Sequence, residues 1–126
     1  MKIEFIKTVE NELGKAHIYK NIIVMEAKPG VTISFETGFS ILLAWTKTIG
    51  NHPWVYIANR LNSYAVNPTD YKYLEKVPTL KGFAIVTPGG LGRTNAELEE
   101  KFFNKPFKVF NTLDDAFDWS ISLLED

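Results

Sequence analysis

Residues 54–58 form the run Trp54-Val55-Tyr56-Ile57-Ala58, which is apolar throughout and begins directly after Pro53. Runs of this kind are typical of strands that are buried on both faces, as the strands of parallel sheets are. A second run of this kind is Phe83-Ala84-Ile85-Val86. A third segment, Phe107-Lys108-Val109-Phe110, is also strand-like, but Lys108 interrupts its apolar side chains, which indicates an edge strand. These segments decide the fold class, because parallel strands need crossover connections, usually helices.

Helices are predicted before, between and after these strands. Apolar residues recur at helical spacing over residues 35–49, and Gly50 supplies the stop signal. Further helical segments are predicted over about Thr69 to Lys76, Asn95 to Phe103 and Leu113 to Leu124. Strands that alternate with helices in this way imply parallel pairing with right-handed crossovers.

The first thirty residues have the period of β-strands instead. Residues 3–9 alternate apolar and polar side chains, and β-rich segments follow at 17–19 and 22–27. We predict a tight hairpin turn at Lys20-Asn21, because Asn tolerates the positive φ of two-residue turns, and one long strand is the alternative. The predicted fold class is therefore α/β: an N-terminal antiparallel hairpin or meander, then parallel β-α units with covering helices in a mixed sheet.

Composition limits the function. The chain has 126 residues, a net charge of −1 and no cysteine, which fits a single domain over 1–126 and excludes disulfides and thiol chemistry. With no cationic excess, we expect no nucleic-acid partner. The longest apolar stretch, Ile41–Trp45, is far shorter than the roughly 20 residues of a membrane span, so we expect no membrane insertion. The N-terminus lacks the apolar core of a signal peptide, and we expect a cytoplasmic protein.

Candidate binding residues lie in loops that follow the predicted parallel strands, where open sheets generally bind ligands. The loop over residues 59–70 is long, polar and aromatic. Helix capping explains Asn67, Pro68 and Asp70 at its end. The groups left as candidates for binding a ligand or partner are Arg60, Ser63, Tyr64 and Thr69.

A second candidate loop, residues 87–95, contains Gly89, Gly90 and Arg93. Free amides at a helix start beside Arg93 can hold a phosphate or carboxylate, although the spacing matches neither a P-loop nor the dinucleotide fingerprint. Thr94 and Glu97 have capping-box spacing, so we favour a plain helix start over an anion site. In the third loop, Thr112 and Asp115 have the same spacing, and we assign that loop no function.

The two histidines do not indicate a metal site or a catalytic site. Neither His17 nor His52 has a second histidine or a carboxylate at ligand spacing in the sequence, and no nucleophile elbow or other triad motif accompanies them. Acidic residues at 97–100 and 114–118 are interpreted as solvated helix faces. We therefore predict no metal, no cofactor and no assembled catalytic set.

The segment Phe107-Lys108-Val109-Phe110, followed by Thr112-Leu113-Asp114-Asp115-Ala116-Phe117-Asp118-Trp119, resembles the closing segment of SpoIIAA-like proteins. That group is related in fold to STAS domains and to the CRAL-TRIO lipid-binding domain, and by element order the resemblance covers nearly the whole chain. For STAS antagonists of anti-sigma factors it implies a phosphorylatable serine in an Asp-Ser-Ser-Gly motif at a strand-to-helix junction. The matching positions here are Asn67-Pro68-Thr69-Asp70, which offer the Thr69 hydroxyl but lack the leading Asp and the Gly.

The leading functional expectation is a non-catalytic module that binds a protein partner or a small molecule, through the loop over 59–70 and its glycine-rich neighbour. One alternative is a carrier of a small apolar or amphipathic ligand, which the CRAL-TRIO relationship and the many aromatic residues suggest. Another is an enzyme whose small anionic substrate is held by Arg60 or Arg93. Self-association into a homodimer also stays open.

Overall fold

The computed structural model describes residues 4–34, 38, 46–61, 65–66, 68–87 and 90–125, with side chains left out at 48, 65–66 and 90–93. The strands in these residues are β1 Phe5–Asn11, β2 Gly14–Tyr19, β3 Ile22–Ala27, β4 Thr32–Ile33, β5 Trp54–Asn59, β6 Ala65–Val66, β7 Leu80–Val86 and β8 Phe107–Phe110. The α-helices are α1 Tyr71–Glu75, α2 Gly90–Glu99 and α3 Leu113–Glu125. Short 3₁₀ turns occupy Thr46–Thr48, Pro68–Asp70 and Glu100–Phe102.

A mixed sheet with the strand order β1-β2-β3-β5-β7-β8 organises the molecule. Its first two pairings are antiparallel, and β3-β5, β5-β7 and β7-β8 are parallel. This arrangement confirms the predicted fold class, and β8 lies at the edge with Lys108 exposed, as predicted. The sequence did not predict β4 and β6, which pair in parallel as a separate two-stranded sheet.

The two faces of the six-stranded sheet carry separate hydrophobic clusters. Helix α3 covers one of them, which we call the α3 face, where Val55, Ile57 and Ala84 pack around Ala116. The opposite face carries the larger cluster, which includes residues of α1 and α2. Every residue of β5 is buried, because its side chains alternate between the two clusters. Each large side chain that is fully buried in this way stabilises the fold by about 1.5–3 kcal/mol.

Aromatic rings fill the centre of the larger cluster. The Phe83 ring lies with its centroid 4.8 Å from that of Tyr56, 5.1 Å from that of Tyr71 and 5.1 Å from that of Phe107. Trp54 is also fully buried, and its indole Nε1 donates a 3.0 Å hydrogen bond to the Thr79 hydroxyl. These aromatic side chains therefore hold the sheet and helices together.

The two N-terminal hairpins have different turns. At the start of β2, directly after the first turn, Gly14 has a φ of +147°, and a Cβ there would meet the Glu26 carbonyl oxygen at 2.1 Å. The predicted Lys20-Asn21 turn joins β2 and β3, which confirms the hairpin. The predicted positive φ at Asn21 is wrong, because no described non-glycine residue has a positive φ. A contact with the segment before β5 stabilises the turn, because the side-chain amide of Asn21 donates a 2.8 Å hydrogen bond to the Pro53 carbonyl.

The starts of two helices test the predicted capping residues. The amide of Asp115 donates to the Thr112 hydroxyl at 3.2 Å, which confirms the cap that begins α3. Helix α2 starts at Gly90, four residues before Thr94, so the predicted capping box of Thr94 and Glu97 is wrong. Glycine in the sequence favours a turn, but Gly90 lies in the first turn of the helix, where the backbone amides have no helical partner.

Most of the predicted helix over residues 35–49 lies outside the described residues. Residues 46–50 are described, and Gly50 follows the 3₁₀ turn Thr46–Thr48 with a φ of +74°. The amides of Ile49 and Gly50 both donate to the Thr46 carbonyl at 3.0 Å. Gly50 therefore ends this 3₁₀ turn in a left-handed conformation, and the predicted helix before it stays a prediction.

Candidate functional site

A cleft of about 320 Å³ opens at the carboxyl ends of β5 and β7, beside the residue that follows β8. This is the edge of the sheet at which we expected binding. Its lining combines amide and apolar side chains with one guanidinium, from Asn59, Arg60, Leu61, Val86, Asn111 and Leu113. The main-chain amide of Arg60 donates to the Val86 carbonyl at 2.9 Å, which fixes the end of β5 against the end of β7.

The charge of Arg60 is neutralised within the protein. Its Nη1 and Nη2 donate to Glu99 Oε2 and Oε1 of α2 at 2.7 and 2.6 Å. The two side chains are only 14% and 10% exposed, and the bidentate geometry is the strongest form of this contact. The sequence predicts that Arg60 is available for a ligand, but the structure places it in this pair.

Tyr71 completes the arrangement, because its hydroxyl also donates to Glu99 Oε1. Burial, and then the negative charge of Glu99, hold the pKa of the Tyr71 hydroxyl well above its ordinary value. Tyr71 is therefore a neutral hydrogen-bond donor throughout the physiological range. The trio of Arg60, Tyr71 and Glu99, which we call the Arg60 clamp, ties the end of β5 to α1 and α2.

A line of hydrogen-bonded polar side chains crosses the α3 face of the sheet. Thr8 Oγ1 lies 2.8 Å from His17 Nδ1, and His17 Nε2 lies 2.9 Å from Glu26 Oε1. The Asn59 amide donates to Glu26 Oε2 at 3.0 Å. These side chains come from β1, β2, β3 and β5, and we call them the polar row. Asn59 belongs both to this row and to the lining of the cleft.

The polar row overturns one expectation, that His17 lacks a carboxylate partner. The hairpin places His17 opposite Val24, and Glu26 lies two residues further along β3 on the same face. The strand register creates the contact between His17 and Glu26, so the spacing of these residues along the sequence does not indicate it. Within the described part of the chain, no group of three or more metal-ligating side chains occurs.

The architecture matches that of a solved protein. The crystal structure of an uncharacterised protein of the DUF3478 family with a SpoIIAA-like fold, from Shewanella loihica PV-4, superposes with a TM-score of 0.54. The match covers 95% of this chain and 96% of that one, at 14% sequence identity. The fold is SpoIIAA-like. Neither the protein-family models nor the sequences of curated proteins give a match.

The predicted site residues occupy different positions in this SpoIIAA-like domain. Of the seven, the cleft lining includes Arg60. Thr69 is exposed in the 3₁₀ turn that precedes α1, and Gly90 is the first residue of α2. Arg93 lies in the first turn of α2, with its side chain outside the described atoms. Ser63, Tyr64 and Gly89 lie outside the described residues.

Among the helices of the described residues, none has both the length and the apolar character that a bilayer crossing requires.

Proposed function

We propose that this SpoIIAA-like domain is a binding module whose site is the cleft at the carboxyl ends of β5 and β7. The observation that carries the proposal is the lining itself, which places amide side chains beside Leu61, Val86 and Leu113. Ligand sites generally combine apolar walls with a few polar groups that set orientation. The cleft, at about 320 Å³, has the size of the smaller ligand sites.

The electrostatics favour an uncharged ligand. The guanidinium of Arg60 already binds Glu99 through two short hydrogen bonds. An anion that used Arg60 would have to displace Glu99, leaving a carboxylate that is only 10% exposed without its counter-ion. This cost supports a small amphipathic molecule over the anionic substrate of the enzyme alternative.

The aromatic residues give less support to the carrier alternative. Trp54 and Tyr71 are fully buried in the core, and their rings pack against the sheet rather than into the cleft. The carrier alternative concerns a small apolar or amphipathic ligand, and neither of these two aromatic side chains is among the residues that line the cleft. The proposal therefore concerns a small molecule with both polar and apolar atoms.

A protein partner is the second candidate, and one observation favours it. Leu61 is 66% exposed at the cleft, so a large apolar side chain is open to a partner there. A partner side chain seated in the cleft would cover Leu61. Binding of a partner would then involve the same residues as binding of a small molecule.

The experiment is a pair of fragment screens on isotopically labelled protein, followed by ¹H–¹⁵N spectra. One library contains uncharged amides and alcohols, and the other contains carboxylates and phosphates of matched size. We expect the uncharged library to shift the amide signals of residues 59–61, 86–87 and 111–113. Shifts from the anionic library alone, or no shifts at these residues with either library, would contradict the proposal.

A further inference from the structure

The polar row contains a hydroxyl, an imidazole and a carboxylate in contact. In a neutral histidine one ring nitrogen donates and the other accepts. The carboxylate of Glu26 accepts from His17 Nε2 at 2.9 Å, so the ring proton lies on Nε2. His17 Nδ1 is therefore left as the acceptor for the Thr8 hydroxyl proton, 2.8 Å away. This order of groups is that of a nucleophile, its general base and the residue that orients the base, with the two ring nitrogens exchanged.

The carboxylate is itself held in place. Asn59 is only 6% exposed, and its amide donates to Glu26 Oε2 at 3.0 Å. The residues also lie on paired strands, with Thr8 opposite His17. Groups that are mounted on a sheet and supported by further hydrogen bonds keep their geometry better than groups on loops.

Reactants can reach the hydroxyl. Thr8 lies on β1, an edge strand of the six-stranded sheet, and is exposed. The side chains of His17 and Glu26 are 26% and 22% exposed, so the base is partly shielded by its neighbours but open on one side.

An apolar surface lies beside the hydroxyl. Tyr19 is two residues from His17 on β2 and therefore projects to the same face. Its ring packs edge-on against Phe5, with centroids 5.2 Å apart, and against Phe117 of α3, at 5.1 Å. Phe5 is 51% exposed. This half-open aromatic surface suits the hydrocarbon part of an acyl group.

We propose that Thr8 is a nucleophilic hydroxyl that accepts acyl groups from esters with a short aliphatic or aromatic acyl chain. Thr8 Oγ1 attacks the ester carbonyl carbon while its proton passes to His17 Nδ1. The bond from that carbon to the ester oxygen then breaks, and the departing alcohol takes the proton from His17, leaving an acyl ester on Thr8. Attack by water in the same manner releases the carboxylic acid and restores the hydroxyl.

The test uses p-nitrophenyl butyrate as the probe and follows both p-nitrophenolate release and the intact mass of the protein. We expect release that depends on Thr8, with any butyryl group mapped by peptide analysis to Thr8. The Thr8→Val variant keeps the branched shape suited to a strand and should abolish the reaction, whereas Thr8→Ser should retain it. His17→Gln should lower the rate about 100-fold or more, as expected for loss of a general base.

Further variants separate chemistry from structure. Glu26→Gln preserves the size of the side chain and should slow the reaction, and Phe5→Ala should reduce the preference for butyryl over acetyl esters. His52→Ala, at an exposed histidine outside the row, is the control for unspecific reaction and should leave the rate unchanged. Equal release from Thr8→Val, or a label found on histidine or lysine instead of Thr8, would overturn the proposal.

Discussion

Arg60 and Glu99 are 39 residues apart in the chain, yet they meet through two hydrogen bonds of 2.7 and 2.6 Å. The pair joins the residue after β5 to the end of α2 beside the cleft. Its consequence is electrostatic as well as structural, because it removes the net charge of the one guanidinium among the described residues that line the cleft. The proposed preference for an uncharged ligand rests on this contact.

The first prediction concerns the stability that the Arg60 clamp provides. Arg60→Ala leaves the buried carboxylate of Glu99 without its partner, and we expect a loss of about 3–5 kcal/mol in the free energy of unfolding. Chemical denaturation measures this loss. Glu100→Gln, an exposed position next to Glu99, is the matched control and should change stability by less than about 0.5 kcal/mol. Equal effects of the two substitutions would contradict the clamp.

A second prediction follows from the raised pKa of Tyr71. Above pH 10 the unfolded chain loses the hydroxyl proton while the folded chain keeps it, so the unfolded state binds fewer protons. The contribution of Tyr71 is therefore fully present below its ordinary pKa and is lost as the pH rises through its folded pKa. We expect stability to fall more steeply above pH 10 in the wild type than in Tyr71→Phe. Parallel stability curves for the two proteins at high pH would refute this.

Gly14 gives a third prediction. A Cβ at this position would lie 2.1 Å from the Glu26 carbonyl oxygen, and the backbone there cannot move without breaking the β2-β3 ladder. We expect Gly14→Ala to cost about 3 kcal/mol or more. Gly30 also has a positive φ, of +77°, but a Cβ there meets nothing within 4 Å, so Gly30→Ala should cost only about 1–2 kcal/mol. Thermal unfolding measures the stability loss of each variant. Equal losses would contradict a steric clash at Gly14.

Lys105 supports a fourth prediction. Its Nζ donates to the carbonyl of Val77 at 2.6 Å and to that of Leu80 at 2.9 Å, which joins the segment before β8 to the connection between α1 and β7. We expect Lys105→Met to destabilise by about 1–3 kcal/mol, because it removes both donors and keeps the apolar stem. Lys101→Met, at an exposed lysine nearby in the sequence, should be nearly neutral. A neutral Lys105→Met would show that water replaces the ammonium at both carbonyls.

The fold could be predicted where hydrophobic periodicity and burial agree. The apolar run at 54–58 is a strand that is buried on both faces, and Lys108 marks an edge strand, because each pattern has one simple structural solution. The short strands β4 and β6 have two residues each, too few for any period to show. The early start of α2 at Gly90 was missed because glycine signals both turns and helix ends.

The candidate site was less predictable because it depends on contacts between distant residues. The cleft opens at the edge of the sheet where the sequence predicts binding, and Arg60 of the loop after β5 is among its lining residues, but a binding role for Arg60 stays a prediction. Glu99 as the partner of Arg60 has no signal in the sequence, since the packing of α2 alone brings them together. The contact of His17 with Glu26 could have been found, because the predicted hairpin and the alternation of strand faces together place these side chains side by side.

The most direct test of the central claim measures the affinity of the best uncharged fragment by calorimetry for the wild type, Leu61→Ala and Leu98→Ala. Both leucines are exposed, at 66% and 51%, but Leu61 lines the cleft and Leu98 lies on α2 outside its lining. The account predicts that Leu61→Ala weakens binding by about tenfold, because the ligand loses the apolar area that it buries on this side chain, while Leu98→Ala leaves the Kd unchanged. An unchanged Kd for Leu61→Ala, or an equal loss in both variants, would contradict binding in the cleft.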